Sequence, residues 1–186
     1  MNLDKFTERA KSILLKAQSL ALSSNNQQLS SLHILRALLE DEEGLSLRLI
    51  QSCNGDVPSI AKELTTELNK LPKVQTSAAS DQLYLGPDSA KIVEEAHSLA
   101  KEMQDQFIST EVLLLSISNL KDIPAGKILY NAKIYKDSIK TAIAKLRQGR
   151  NVDSSNAEAN YEALKKYAKD ITELAKQGKL DPIIGR

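Results

Sequence analysis

The chain has 186 residues, which is enough for one sizeable domain with a further segment attached. Its 25 basic and 24 acidic residues nearly cancel, and this balance argues against a general binder of nucleic acid or of an anionic membrane. The single cysteine, Cys53, excludes an internal disulfide, and no apolar run approaches the roughly 20 residues that span a bilayer. The sequence shows neither a signal peptide nor metal-ligand spacing, so we expect a cytoplasmic protein that holds no metal.

Apolar residues recur at helical spacing along most of the chain, so the predicted fold class is all-α. In the first half, the predicted helices cover about 6–21, 31–40, 44–52 and 56–70. In the second half, they cover about 86–103, 110–120, 125–131 and 136–147. Pro58 and Pro87 fall in first turns, where a missing N–H costs nothing.

A short sequence recurs 79 residues further along the chain. Ala-Gln-Ser-Leu-Ala at 17–21 returns as Ala-His-Ser-Leu-Ala at 96–100. The same offset, without a gap, pairs Ile13 with Ile92, Ser30 with Ser109, Leu35 with Leu114 and Ile60 with Ile139. Self-similarity at a fixed offset indicates a duplicated unit. We therefore predict one pseudo-two-fold domain over 1–150, made of two four-helix repeats at about 6–71 and 85–150.

The seam between the repeats is a candidate site. A polar loop and the start of a short helix recur in both copies, at 25–31 and at 105–110. Grooves between packed units commonly bind ligands, but such a seam can also pack shut, and the sequence leaves both alternatives open.

Two further groups of polar residues have plain structural interpretations. His33 lies between apolar neighbours and is predicted to be a packed or capping histidine. Residues 121–150 carry eight basic and two acidic residues, which we interpret as solvated helix faces. The alternative is a weak basic docking face near Lys133, Lys136, Lys140 and Arg147.

The end of the chain has a different character. Residues 151–160 are rich in Asn, Ser and Ala without an apparent apolar anchor, and they are predicted to be a mobile linker. Residues 161–177 then have the spacing of an amphipathic helix, with Gly178 as its C-cap. Because this helix has no domain of its own to cover, we expect the chain to be part of a longer protein.

Four stretches carry a resemblance to a known family. LDKFTERAKSILLKAQSLAL and the following SLHILRALLEDEEG resemble the first N-domain repeat of Clp ATPases, and QDQFISTEVLLL resembles the second. ALKKYAKDITELAKQGKLDPIIGR is similar to the entry into a first ATPase domain, which would make 161–186 its truncated beginning. The ALKKYAKDITE stretch favours the ClpB family of AAA+ disaggregases over ClpA and ClpC.

This resemblance implies a function and partners. It implies the substrate-engaging domain of an ATP-dependent disaggregase that rescues aggregated proteins under stress, together with the DnaK system through a middle domain. The implied partners are unfolded or aggregated polypeptides and, for the whole protein, a homohexamer, whereas this chain alone is expected to be a monomer. An adaptor- or substrate-docking domain of a ClpA- or ClpC-type unfoldase coupled to a peptidase is the alternative.

The resemblance also implies substrate-binding residues. By motif match these are Thr7, Leu99, Asp105, Glu111 and Val112, where Val112 stands at a position that is often leucine in the family. Leu99 and Val112 would contact apolar side chains, and Asp105 and Glu111 would bond peptide N–H groups or attract lysines. The alternative is structural: Thr7 and Glu111 cap helices, and Leu99 belongs to the core.

Catalytic motifs are not visible in the sequence. No G-x-x-x-x-G-K-[ST] phosphate loop is present, since position 121, upstream of Gly126-Lys127, is lysine. We therefore expect no enzymatic activity and no cofactor in this chain itself, although the whole protein is expected to be an ATPase with ATP and Mg. The resemblance places Ile183 and Ile184 beside the adenine, with the rest of the ATPase domain present.

Overall fold

The computed structural model describes residues 2–74 and 83–159. Its helices are α1 (Glu8–Ser23), α2 (Ser31–Leu39), α3 (Leu45–Ser52), α4 (Val57–Asn69), α5 (Pro87–Glu102), α6 (Thr110–Asn119), α7 (Pro124–Asn131) and α8 (Lys136–Arg147). The all-α prediction is confirmed, and each of the eight helices predicted within 1–150 is present within a few residues of its expected bounds. Within the described ranges, no helix is both long enough and apolar enough to cross a membrane.

Side-chain caps explain where several helices begin. The Thr7 hydroxyl accepts from the Ala10 amide at 3.1 Å and starts α1. The Asp56 carboxylate accepts from the Ser59 amide at 3.2 Å and starts α4. Each cap satisfies a donor that has no partner inside its helix, and the residue pattern therefore fixes these starts.

The duplication is present in the backbone. Shifting α1 and α3 by 79 residues gives the bounds of α5 and α7, and the other two pairs differ by one residue at one end. Left-handed residues recur at the same offset: Asn25 and Gln104 both have φ of 60°, and Asn54 and Lys133 have 62° and 64°. Each of these residues closes a helix with an αL cap, so the two copies end α1, α3, α5 and α7 in the same way.

Short strand pairings join the repeats. β1 (Gln28–Leu29) pairs in parallel with β2 (Tyr84–Leu85), and a single bridge joins Phe6 to Ile108. At the 79-residue offset, the bridge is the counterpart of the Leu29–Leu85 pair. Such short pairings leave no alternating pattern in the sequence, which is why it did not predict them. The bridge places the start of α1 beside the start of α6.

The two middle helices, α2 and α6, form the centre of the core. Every residue from Thr110 to Ser118 is buried, and in α2 all residues but Arg36 are buried. α1 packs on α2, α5 packs on α6, and α2 also contacts α6. A helix surrounded in this way is apolar on all sides, which explains the uninterrupted run from Val112 to Leu115.

Residues 151–159 differ from the sequence-based expectation. The expected lack of an apolar anchor is wrong, because Val152 is fully buried and Ala157 is 7% exposed. The contacts involve two isolated small side chains and main-chain hydrogen bonds, neither of which produces a periodic pattern. The division into domain, linker and ATPase start stays a prediction, and the helix expected over 161–177, with Ile183 and Ile184, lies outside the described residues.

The left-handed caps lead to a stability prediction. Replacing exposed Lys133 with glycine is expected to raise the free energy of unfolding by about 0.5–1 kcal/mol, measured by urea denaturation. The αL backbone costs a residue with a side chain about 1–2 kcal/mol, and the greater freedom of glycine in the unfolded chain offsets only part of that.

The matched control makes the same chemical change in ordinary helix. Lys145 is exposed in α8, and Lys145→Gly is expected to lower the free energy of unfolding by about 0.5–1 kcal/mol. Changes of the same sign at both positions would contradict the account of the left-handed caps.

Candidate functional site at the start of helix α6

Three of the five sequence-predicted site residues come together. The Thr7 amide donates to the Ile108 carbonyl at 2.9 Å, which brings the start of α1 to the start of α6. Asp105, in the turn before α6, and Glu111, in its first turn, both contact the same arginine. Leu99 and Val112 belong instead to the hydrophobic core, with 2% and 0% exposure. Substrate binding by any of the five stays a prediction.

Arg147, at the end of α8, organises this region. Its Nη1 and Nη2 donate to the two Asp105 oxygens at 3.1 and 3.0 Å, and its Nε donates to Glu111 Oε2 at 3.0 Å. Nη2 also lies 3.2 Å from the Ser109 hydroxyl. Arg147 is 5% exposed, and both carboxylate side chains are fully buried. The planar guanidinium suits this two-sided, fork-like pairing.

These partners keep the guanidinium charged. Burial by itself lowers the pKa of Arg147, but the adjacent carboxylates of Glu111 and Asp105 raise it by more, so the pKa lies above its ordinary value. The site thus contains a fixed positive charge that is matched by two buried negative charges.

The sequence-based interpretation of Arg147 as a solvated residue is wrong. Arg147 lies at helical spacing after Ile139 and Ile143, and these three are the buried residues of α8. That spacing is the signal that could have identified it, because a base on the apolar stripe of a helix requires a buried partner.

The chain segment after α8 passes over this region and forms main-chain hydrogen bonds with it. The Val152 amide donates to Asp105 Oδ1 at 2.9 Å, and the Val152 carbonyl accepts from the Gln106 amide at 2.8 Å. Further along, the Ser155 carbonyl accepts from the Glu8 amide at 2.9 Å. The stretch of polypeptide at 151–159, which ends in a turn and a helical turn at 157–159, is therefore held here largely by its backbone.

Glu158 completes these contacts at the start of α6. Its Oε2 accepts from the Thr110 amide at 2.8 Å, and the residue is 1% exposed. A carboxylate is favoured at this place because the first amides of a helix lack internal partners and carry partial positive charge. Burial, and next the negative charge of Glu111, raise the pKa of Glu158.

The equivalent place in the first repeat also holds a carboxylate. Asp88 Oδ2 accepts from the Ser31 amide at 2.7 Å and from the Ser30 hydroxyl at 3.1 Å. Ser31 corresponds to Thr110 at the 79-residue offset, but the counterpart of Asp88 is Arg9. Glu158 therefore supplies the acid that the repeat itself lacks. Sequence reasoning missed Glu158. The signal that could have predicted it is Arg9, because a base at this position means that the acid must come from another part of the chain.

His33 occupies the place that corresponds to Val112, and its predicted packing and capping role is confirmed. It is 1% exposed, and its Nδ1 accepts from the Ser30 amide at 2.9 Å. Because Nδ1 accepts, the proton is on Nε2, which lies 2.9 Å from Asn26 Oδ1 and donates to it. Burial lowers the pKa of His33, and Asp88 opposes that shift in part. The first repeat thus has a neutral network where the second has ion pairs.

A polar cleft of about 470 Å³ lies beside the segment. α1 and residues 41–43 line it, and residues 155–159 contribute to its wall. Across ranges 2–74 and 83–159, no cluster of three His, Cys, Asp or Glu side chains is placed to hold a metal ion. The contacts of the region are hydrogen bonds to the backbone of Val152 and Ser155 and to the Glu158 carboxylate.

The family of the chain follows from comparison with known proteins. Residues 5–132 match the model of the Clp repeat (R) N-terminal domain, and the chain belongs to this family. It is similar over all 186 residues to the ClpB chaperone of Rhodopseudomonas palustris, at 45% identity, and to that of Brucella suis, at 44%. The chain spans 21% of the length of each of these curated relatives.

Solved structures share the fold. The Hsp104 N-terminal domain from Candida albicans matches with a TM-score of 0.71 at 23% identity, over 83% of this chain and 99% of that one. The N-terminal domain of the ClpV1 ATPase from E. coli matches with a TM-score of 0.67 at 18% identity, over 78% and 88% of the two chains. At these identities the likeness shows a common Clp N-domain architecture.

The neutral His33 network predicts a pH dependence. Because the folded state lowers the pKa of His33 below 6.5, the unfolded chain binds more protons as the pH falls through that range. The free energy of unfolding is therefore expected to decrease between about pH 7 and pH 5. His33→Gln keeps a capping acceptor at the same position but does not titrate, so its stability should fall less over this range. Parallel pH curves for the two proteins would contradict this assignment.

The Arg147 network predicts a large effect of one substitution. Arg147→Met leaves two buried carboxylates without their cation, and the free energy of unfolding is expected to fall by about 3–5 kcal/mol, measured by urea denaturation.

The control removes the stranded charges as well. The triple variant Arg147→Met, Asp105→Asn, Glu111→Gln is expected to recover part of that loss, since a neutral pocket has no unpaired charge. A triple variant less stable than the single one would show that the ion pairs do not organise the site.

Proposed function

We propose that this chain is the substrate-engaging N-terminal domain of a ClpB-type, ATP-dependent disaggregase. The support is the 45% identity to a ClpB chaperone over the whole chain, together with membership of the Clp repeat family. In this proposal the whole protein is a cytoplasmic homohexamer that binds ATP and Mg, hydrolyses ATP, and rescues aggregated polypeptides with the DnaK system.

The observation that carries a polypeptide-binding role is the main-chain pairing at the start of α6. Asp105 accepts a backbone N–H there, and the Gln106 amide donates to a backbone carbonyl. Bonds of this kind do not depend on the side chains of the bound segment, as in other proteins that capture extended peptides. A chaperone that engages unrelated unfolded proteins needs this tolerance of sequence.

Each predicted site residue has a distinct task in the proposal. Asp105 accepts from the client backbone, and Glu111 keeps Arg147 in position, which in turn orients Asp105. Thr7 caps α1, so that the following amide is held towards the site. Leu99 and Val112 act by packing α5 against α6 on either side of the Asp105 turn, since both are buried.

The test uses the full-length protein that contains this chain. We expect deletion of residues 1–150 to slow the reactivation of a heat-aggregated reporter enzyme several-fold in the presence of ATP and the DnaK system, while ATP hydrolysis persists. Unchanged reactivation would overturn the proposal. Degradation of the reporter that requires an added peptidase would instead support the docking domain of a ClpA- or ClpC-type unfoldase.

A further inference from the structure

We propose that residues 151–159 are an internal occupant of the polypeptide-binding site and that a client must displace them. The inference rests on the proposed function and adds two things to it: the class of ligand, an acidic segment that binds through its main chain, and a competitor within the chain.

The segment uses the donors and acceptors that a client needs. Asp105 Oδ1 and the Gln106 amide are both paired with Val152, and the Glu8 amide is paired with Ser155. The Thr110 amide is paired with Glu158. A client cannot reach these groups while the segment is in place.

The segment can leave without breaking the bundle. In the first repeat the equivalent carboxylate, Asp88, lies in the first turn of α5 and is fixed by that helix. Glu158 lies in the helical turn at 157–159, which follows the last helix of the second repeat and is joined to it through residues 148–156. The apolar side chains that the segment buries are small ones, Val152 and Ala157, so its contacts open at lower cost than those of the core.

The connection to α8 makes even a weak internal contact effective. Val152 is five residues beyond Arg147, the last residue of α8, so the segment meets the site at an effective concentration on the order of millimolar. The apparent affinity for a client is reduced by the fraction of chains whose site is free. The segment therefore sets a threshold that a client must exceed.

The bound segment also defines what the site recognises. It presents the main-chain N–H and C=O of Val152 to Asp105 and Gln106 and places a carboxylate six residues later at the start of α6. The partial positive charge of a helix start favours an acid over a base at that position. Because the segment contributes to the wall of the 470 Å³ cleft, its departure also widens the space for a longer client.

The first arm of the test releases the segment. The full chain with Glu158→Lys is expected to bind a fluorescein-labelled synthetic peptide of residues 151–159 several-fold more tightly than the unmodified chain, measured by fluorescence anisotropy. The matched control is Asp153→Lys, which makes the same type of change at an exposed position of the same segment and should leave binding unchanged. Equal affinities of all three chains would overturn the inference.

The second arm fixes the segment in place. Glu8→Cys and Ser155→Cys, in a Cys53→Ser background, put two thiols where the main chains are hydrogen-bonded. Once mass spectrometry confirms the disulfide, the oxidised form should lose affinity for the peptide several-fold, and a reductant should restore it. Binding that is insensitive to oxidation would overturn the inference even if the lysine variant failed to fold.

The third arm distinguishes the inference from the function on which it rests. Reduced, carboxymethylated casein should bind the unmodified chain weakly and the Glu158→Lys chain several-fold more tightly. Casein that binds both equally well overturns the internal occupant alone. If casein binds neither the unmodified chain nor the Glu158→Lys chain, while the peptide binds the Glu158→Lys chain, the proposed function is overturned. The internal contact is then supported.

Discussion

The buried guanidinium of Arg147 constrains the whole candidate site. The end of α8, the turn after α5 and the start of α6 all contact this one side chain through Asp105, Ser109 and Glu111. Removing three charged groups from water is costly unless each finds close partners, and the paired geometry provides them. The position of Asp105, and so of any backbone that pairs with it, follows from this network.

The two repeats carry different polar groups at equivalent positions of the same backbone fold. Asn26 and His33 form an uncharged contact in the first copy, and the corresponding positions in the second are Asp105 and Val112. Asn26 Nδ2 also donates to the Pro72 carbonyl of a passing main chain at 3.0 Å. In the second copy, Asp105 is ion-paired and one of its oxygens likewise accepts a hydrogen bond from a passing main chain. Both copies therefore hold a stretch of main chain at the same place in the fold, through an amide in the first copy and through an ion-paired carboxylate in the second.

The helices were predictable because their signals are local. Helix bounds depend on residues that are close together in the sequence, such as the caps Thr7 and Asp56 and the prolines in first turns. The 79-residue repeat then gives each bound a second time, to within one residue. The meeting of Asp105 and Glu111 followed from family resemblance rather than from spacing, since their common partner, Arg147, is far away in sequence.

The docked segment was not predictable for a physical reason. Main-chain hydrogen bonds leave no trace in residue types, and Val152 and Ala157 are too few to produce an apolar period. The one sequence signal was Arg9, a basic residue at the position that corresponds to Asp88. It indicated that the start of α6 takes its carboxylate from another part of the chain. Recognition through the backbone, on which the proposed function relies, leaves no residue pattern from which the occupant of the site could be predicted.

Amide NMR on the ¹⁵N-labelled chain, titrated with reduced, carboxymethylated casein, tests the central claim most directly. The account predicts that the backbone N–H signals of Glu8, Gln106 and Thr110 shift together, because each exchanges a partner in the segment for one in the client. Shifts confined to another surface, such as the exposed Tyr130 and Tyr135, with those three signals unmoved, would contradict it.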